Sequence, residues 1–347
     1  MKWNPMPIRE FGKNHPVILF IGVTYVWTWS FWIPANSDGL PPGMKPALTF
    51  LGAFGPALAG SLILRLRTSV YDSRPRHWGG FLVGAALAAT AIALLYFDIA
   101  GINRLAPKPD LIFGSDAPWH VHGLMAAVVV ISAFVFSNVQ SRSATVRSFY
   151  KGLIPSRRAL LLAIPVLMFL PVVLVSSNFL ADIAGISYEA PEYSKQSIGL
   201  WLPLMFVKLI TVAMLTGGNE EHGWRGVLLP MLQKHRSPLV ATLFIAFVWE
   251  LWHFPLILDG LYGDQHIALI MTARVVAILP IALIMTAIYN VSRGSIFLCI
   301  LMHACFNTQL KLFVGTELMA LFVFVIVIAS VLITRMWRRS SGYIPVR

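Results

Sequence analysis

Ten long apolar stretches, separated by short loops, constrain the fold of this chain more than any other feature of its sequence. A helix needs about 20 consecutive, mainly apolar residues to cross the hydrocarbon core of a bilayer. The stretches are continuous and lack the short alternating pattern of a membrane β-strand. We therefore predict an all-α, polytopic transmembrane helical bundle. The predicted spans are about 17–34, 46–64, 79–97, 121–137, 159–181, 199–216, 238–257, 267–289, 294–312 and 318–337.

Basic residues fall in the loops on one side of this predicted bundle. Charged residues make up 12% of the chain, about half the average of soluble proteins, yet the net charge is +12. The opposite loops, including those at about 98–119 and 182–198, are acidic or nearly neutral. The positive-inside rule then places both termini in the cytoplasm. Because loop position already explains the basic residues, we expect no nucleic acid as a partner.

Ionisable residues divide the chain into two parts. The spans within residues 1–198 carry almost no charge in their interiors, so we predict an N-terminal transmembrane scaffold there. A charge at the centre of a membrane helix costs about 2.5–3.5 kcal/mol, so intramembrane charges point to function. We predict that residues 199–347 form the catalytic region, with its motifs within about 217–310. Polar and charged residues of this region include Lys208, Glu220, Glu221, Arg225, Glu250, His253, Arg274, His303 and Asn307.

Three polar segments of the second part have the spacing of helical faces. Residues four apart on a helix lie on the same face and are close enough to interact. Three helices can thus direct a carboxylate, two imidazoles and an amide at one point. Hydrolysis needs such groups, because a base must activate water and donors must hold the developing oxyanion. The pairs are Glu221 with Arg225, Trp249 with His253, and His303 with Asn307.

Each residue taken alone also has a structural explanation. Glu221 and Arg225 can be an ion pair at the start of a helix. Glu220 follows two glycines and can be a carboxylate at the edge of a loop, and His303 can be a hydrogen-bonded core histidine. Three independent signatures in one stretch are hard to explain in this way, so we favour a shared site.

The three segments, in this order, resemble the motifs of the CPBP family. The residues are Glu-Glu-x-x-x-Arg at 220–225, aromatic-x-x-x-His at 249–253 and His-x-x-x-Asn at 303–307. The family comprises CAAX prenyl endopeptidases and bacteriocin-processing and self-immunity proteins, also called Abi or lysostaphin-resistance-like intramembrane proteases. The resemblance covers about 200–312, and the earlier spans are similar in character only. One departure is Trp249, where the family usually has Phe; we expect the same packing role from this large aromatic ring.

The resemblance implies one catalytic site made of Glu220, Glu221, Arg225, His253, His303 and Asn307. Glu220 would match the base that activates water, and His253 would help to hold that water. His303 and Asn307 would match the donors to the oxyanion. Glu221 and Arg225 would match the supporting pair. The expected protein is an intramembrane endopeptidase acting on a membrane-associated protein or peptide, with CAAX-type or bacteriocin-related processing as the implied reactions.

No cofactor is expected, although two glutamates and two histidines would also suit zinc. Asn307 is a poor zinc ligand and a good oxyanion donor, and the chain lacks His-Glu-x-x-His. We therefore favour glutamate-activated water without a metal over a zinc site. Glu250 and His253 form Glu-x-x-His, as in di-iron helical sites, but such a site needs a second copy that the chain lacks. We expect Glu250 to pair instead with an intramembrane cation such as Arg274 or Lys208.

Two other kinds of protein remain open. A catalytically idle immunity or scaffold protein of the same fold is one, and the intact motif residues argue against it. A transporter is the other. Transporters often show inverted repeats and broken helices in both halves of the chain, whereas here the intramembrane charges are concentrated in the second half. The expected location is a bacterial-type plasma (inner) membrane, crossed many times.

The predicted spans place two of the motif residues at different depths in the membrane. Glu220 starts near the cytoplasmic edge, whereas His253 lies in the outer half of its span. For the two residues to meet, residues 219–233 must dip into the membrane, or the span that carries His253 must begin deeper in the membrane than predicted.

Overall fold

Helices account for almost all of the chain that the structure describes. The computed structural model describes residues 8–67, 78–96, 118–141, 143–188, 198–260, 266–312 and 318–339, and no β-strand occurs within them. The prediction of an all-α bundle is confirmed. The helices are α1 (Ile8–Asn14), α2 (Pro16–Ala35), α3 (Met44–Gly52), α4 (Gly55–Arg67), α5 (Trp78–Tyr96), α6 (Trp119–Ser137), α7 (Ala144–Tyr150), α8 (Arg157–Ala184), α9 (Ile198–Leu215), α10 (Gly217–Gly223), α11 (Leu229–Gln233), α12 (Pro238–Trp252), α13 (Phe254–Leu258), α14 (Ile267–Val291), α15 (Ile296–Leu312) and α16 (Leu318–Ile333).

Several helical segments are long and apolar enough to cross a membrane. Within the described ranges, five of them meet this standard by length and composition: Pro16–Ala35, Met44–Leu66, Trp119–Gln140, Arg157–Ala184 and Ile267–Val291. Shorter apolar helices lie at Trp78–Leu94, Pro238–Trp252, Ile296–Gln309 and Leu318–Ile333. The protein is therefore an integral membrane protein. The count of ten spans and the cytoplasmic termini stay predictions, and most of both predicted external loops lies outside the described residues.

Large apolar side chains cover the outside of the bundle. Phe247 on α12 is 63% exposed and Val276 on α14 is 67% exposed. Large exposed apolar surfaces on soluble proteins are rare and mark contact with another apolar phase. In a bundle of this composition that phase is the lipid bilayer.

The helix α12, which carries the second motif, begins and ends where its sequence dictates. The Ser237 hydroxyl accepts a hydrogen bond from the backbone N–H of Val240, and Pro238 occupies the first turn, where no N–H is needed. We predicted a continuous span over 238–257. Instead α12 ends at Trp252 and α13 begins at Phe254, because Pro255 lacks the N–H that a continuous helix would require. His253 therefore lies at the break between the two helices.

The segment that carries the first motif lies inside the bundle. Every residue from 217 to 231 is buried, although this stretch falls between two predicted spans. A π-helical turn at Trp224–Leu228 joins α10 to α11. Close packing against α4 is possible because of glycine: a Cβ at Gly223 would overlap Pro56, and a Cβ at Gly60 would lie 2.8 Å from Val227 Cγ2. Residues 219–233 thus lie within the bundle, which is the first of the two arrangements that would let Glu220 and His253 meet.

Helix α2 of the N-terminal part contacts the break between α12 and α13. The Tyr25 hydroxyl donates to the carbonyl of Val248 at 2.6 Å. The Trp29 indole donates to the carbonyl of Trp252 at 3.1 Å, and the Asn36 amide donates to the carbonyl of Pro255 at 2.7 Å. Trp252 ends α12, so its carbonyl has no partner inside that helix, and Trp29 supplies a donor for it. The carbonyl of Pro255 also accepts from the backbone N–H of Asp259. The first part of the chain therefore fixes the helix end at which His253 lies.

Candidate active site

Glu220 and Trp249 meet in the interior of the bundle. The Trp249 indole Nε1–H donates to Glu220 Oε2 at 2.7 Å. The two residues are only 6% and 4% exposed. Since α10 and α12 carry these residues, the first two predicted motifs are in direct contact. Glu220 and the second motif were predicted to lie at different depths in the membrane. The contact with Trp249 brings them together, because Trp249 is only one turn of α12 before His253.

Glu221 points in another direction and is held by two donors. Arg225 Nη1 donates to Glu221 Oε1 at 2.9 Å, and both side chains are almost completely buried. The ion pair predicted from the four-residue spacing is confirmed. His303 on α15 places its Nδ1 2.8 Å from the same oxygen. Glu221 therefore joins the first motif to the third.

His303 lies between the two adjacent carboxylates. A carboxylate that binds a guanidinium is ionised and can only accept, so His303 Nδ1 carries a proton and donates to Glu221. The other ring nitrogen, Nε2, lies 4.0 Å from Glu220 Oε1. Neutral His303 would accept a hydrogen bond through Nε2, whereas the imidazolium would donate one. The donor role that the resemblance implies for His303 thus requires protons on both ring nitrogens.

His253 is oriented by its own helix. Its Nδ1 lies 2.9 Å from the carbonyl oxygen of Trp249, and since a carbonyl can only accept, Nδ1 is the donor. Its ring stacks on Trp32 of α2 at a centroid distance of 6.0 Å and meets the Trp252 ring edge-on at 4.8 Å. This arrangement leaves Nε2 of the neutral ring as an acceptor, which is the capacity needed to hold the hydrogen of a water molecule.

Asn307 differs from the other predicted site residues in its exposure. It follows His303 by one turn of α15, so the two residues share a face of that helix as predicted. The side chain of His303 is buried, whereas that of Asn307 is exposed. The structure therefore brings together Glu220, Glu221, Arg225, His253 and His303 around Trp249. Asn307 lies one turn further along α15, with its side chain exposed.

Two contacts hold the group tightly. The Arg225 guanidinium carbon lies 4.4 Å from the centre of the Trp249 ring, which is a cation–π distance. Gly217 lies against His303, and a Cβ at this position would lie 2.7 Å from Nε2 and 2.8 Å from Cγ of that ring. Only glycine leaves room for His303 at its present position.

Glu250 lies outside the group, although it is three residues before His253. The Arg274 guanidinium of α14 binds the Glu250 carboxylate in a bidentate manner. Arg274 Nε donates to Oε1, and Nη2 donates to Oε2 at 3.0 Å. The prediction that Glu250 pairs with an intramembrane cation is confirmed, with Arg274 as the partner. Both oxygens of Glu250 are thus occupied by Arg274.

Sequence reasoning missed the polar contact of Trp249. We expected only packing from this ring, and the ring is indeed buried, but its Nε1–H also binds Glu220. The sequence could have indicated this contact, because the N–H of a buried indole usually donates to an acceptor. His222 was also passed over: it is buried, and its Nδ1 donates to the carbonyl of Gly218 at 2.7 Å. Its ring lies near Tyr150, on the side facing α7.

No group of three or more His, Cys, Asp or Glu side chains among the described residues is arranged to hold a metal ion. Glu221 Oε1 is already engaged by Arg225 and His303. The expectation of a site without a metal stays a prediction, for which a chelation experiment is given below.

Two comparisons with known proteins bear on this site. Residues 201–309 match the profile of the family described as Type II CAAX prenyl endopeptidase Rce1-like. A protein of Methanococcus maripaludis named CAAX prenyl protease 2 is 27% identical over 203 residues, which cover 56% of this chain and 72% of that protein. The resemblance to the CPBP family is confirmed. These matches support an integral membrane endopeptidase, and the matched residues include the whole group described above.

Proposed function

We propose, from the premise that residues 201–309 are a Rce1-like region of the CPBP type, that this protein is an intramembrane endopeptidase in which Glu220 activates the attacking water. The observation that carries the proposal is the environment of Glu220. Its carboxylate is buried, accepts one hydrogen bond from a neutral indole and turns its other oxygen toward His303. A carboxylate without a directly bound cation keeps the capacity to take a proton.

The reaction adds one water to one peptide bond. Glu220 Oε1 takes a proton from the water, and the hydroxide oxygen bonds to the carbonyl carbon of the substrate. The C–N bond then breaks, and Glu220 returns the proton to the leaving nitrogen, so the products are a carboxylate-bearing fragment and an amine. General-base catalysis of this kind contributes about 10²- to 10⁴-fold to a rate.

The two histidines would serve this reaction in different protonation states. His253 has its proton on Nδ1, so its Nε2 would accept a hydrogen from the water. His303 would stabilise the oxyanion from Nε2 as an imidazolium, for which the adjacent Glu220 and Glu221 provide compensating negative charge. Asn307, at the exposed edge, would supply the second donor once the substrate carbonyl is bound.

We propose a membrane-associated peptide as the substrate, and a C-terminal prenylated peptide as the first candidate. The name of the Methanococcus maripaludis relative and the family description both refer to CAAX prenyl substrates. Such substrates carry an isoprenoid on a cysteine near the C-terminus, which holds the peptide at the membrane. The apolar outer surface of the bundle would place the site beside such a peptide.

The test is proteolysis by the purified protein in liposomes. The probes are a fluorogenic peptide with farnesylcysteine followed by three uncharged C-terminal residues, and the same peptide without the farnesyl group. Cleavage of either by the wild type, with loss in Glu220→Gln and His303→Ala, is the expected result. Equal product from wild type and both variants would rule out the proposed mechanism. Cleavage of only the unprenylated peptide would rule out the prenyl preference alone.

Metal dependence is tested in the same liposomes. We expect full activity after incubation with 1,10-phenanthroline and dialysis, because the proposed mechanism activates water with Glu220 and without a metal. Activity that disappears with the chelator and returns with added zinc would replace this mechanism by a metal-dependent one.

A further inference from the structure

Trp249 does more than fill space beside the catalytic group. Its indole N–H lies 2.7 Å from Glu220 Oε2, which is a short distance for an N–H donor. We propose that Trp249 is the positioning residue of the base: it fixes Oε2 and thereby directs Oε1 toward His303. The inference rests on the proposed role of Glu220 and adds the residue that orients it.

The carboxylate needs such a partner because its own torsion does not fix it. The terminal torsion of a glutamate side chain is broad, so rotation about it exchanges the directions of the two oxygens at little cost. A hydrogen bond to an ionised acceptor is stronger than one between neutral groups. One bond to Oε2 therefore selects a single orientation, in which Oε1 lies 4.0 Å from His303 Nε2.

The indole is itself held in place from its other sides. The Arg225 guanidinium lies over its face at 4.4 Å, and that guanidinium is bound to Glu221 at 2.9 Å. The His303 ring meets the indole edge-on at a centroid distance of 5.5 Å. Rotation of the Trp249 ring away from Glu220 would break these contacts. Arg225, held by Glu221, thus supports the indole that binds Glu220.

The first variant is Trp249→Phe, which keeps an aromatic ring and removes the donor. We expect kcat on the cleaved peptide to fall about 10- to 100-fold while KM changes by less than about threefold, because misorientation of a reacting group by about 1 Å costs up to about 10² in rate. The matched control is Trp224→Phe. Trp224 is completely buried, and its Nε1 has no hydrogen-bond partner among the described residues, so kcat should change by less than about threefold.

A second substitution separates the hydrogen bond from the shape of the ring. Replacing Trp249 with 3-benzothienylalanine exchanges the N–H for sulfur in a bicyclic ring of nearly the same size. We expect the same loss of kcat as in Trp249→Phe, with a melting temperature close to that of the wild type. Wild-type kcat in this variant, or a change confined to KM, would overturn the positioning role.

The outcome is distinguishable from failure of the proposed function. If Glu220→Gln is inactive and the benzothienyl variant is fully active, only the role of Trp249 is wrong. If Glu220→Gln retains full activity, the base has been misassigned and the role of Trp249 falls with it.

Discussion

Two buried carboxylates on neighbouring helices, Glu220 of α10 and Glu250 of α12, have opposite surroundings. Both oxygens of Glu250 are bound by the Arg274 fork. Glu220 has one oxygen bound by a neutral indole and the other facing an imidazole at 4.0 Å. A carboxylate with a bidentate guanidinium is fixed in its ionised form, whereas a carboxylate with no cation at hydrogen-bond distance can exchange a proton. Burial alone therefore does not mark a catalytic acid or base; the partners of both oxygens do.

The same distinction separates Glu220 from the residue next to it in sequence. Glu221 shares one oxygen between Arg225 and His303 and thus ties α10 to α15. Its charge serves the architecture of the site, and the cation that it binds supports Trp249 in turn. In the proposed mechanism, two adjacent glutamates are divided between chemistry and support because neighbours on a helix point about 100° apart.

The largest expected difference between the two carboxylates is in activity. Glu220→Gln should lower the rate of peptide cleavage by about 10²- to 10⁴-fold, since the amide cannot act as a general base. Glu250→Gln should leave the rate per folded molecule within about tenfold, because the substitution removes an ion pair with Arg274 and leaves the contacts of Glu220 in place. The measurement is the initial rate in liposomes, normalised to the amount of folded protein. Similar losses in both variants would contradict the comparison.

The ion pair of Glu250 should matter for stability more than for activity. Arg274→Ala leaves Glu250 buried without its cation and should lower the free energy of unfolding by about 3 kcal/mol. Glu250→Gln combined with Arg274→Ala removes both charges and should cost clearly less. Thermal unfolding in detergent, completed as a double-mutant cycle, measures the coupling. Additive effects of the two substitutions would show that the pair is not coupled.

A smaller effect is expected from the packing around His303. Gly217→Ala should displace the imidazole from its position beside Glu220 and lower activity about 10- to 100-fold, because a Cβ there overlaps the ring. The control is Gly22→Ala on α2, where an added Cβ meets no atom within 4 Å. Cleavage rates and melting temperatures of both variants should be compared. Wild-type activity in Gly217→Ala would mean that the position of His303 is not critical.

The smallest effect concerns an ion pair nearer the surface. Lys45 Nζ binds Asp259 Oδ1 at 2.7 Å, and the lysine side chain is 28% exposed. Lys45→Ala should lower the free energy of unfolding by about 1 kcal/mol, which is less than Arg274→Ala, since Lys45 and Asp259 are 28% and 9% exposed against 20% and 1% for Arg274 and Glu250. Thermal unfolding at low and high salt provides the measurement. A loss as large as that of Arg274→Ala would show that geometry, and not burial, governs the two pairs.

Much of the site could be predicted from spacing within single helices. The pair Glu221 and Arg225 and the shared face of Trp249 and His253 follow from four-residue intervals, and the structure confirms both. The break at His253 was missed, because the apolar pattern continues to residue 257 while Pro255 interrupts the hydrogen bonds. The buried segment 217–231 was placed between spans, since its glycines and charges are typical of a loop.

The sequence by itself determined that this is an all-α membrane protein with its ionisable residues concentrated in the second half. It also determined which residues share a helical face, because the rise and turn of a helix are fixed by its backbone. Only the tertiary structure decided that Trp249 binds Glu220, that Arg274 rather than another cation binds Glu250, and that Asn307 is exposed. The rotation and depth of one helix against another depend on packing, including the glycine contacts at Gly217 and Gly223, and local periodicity does not specify them.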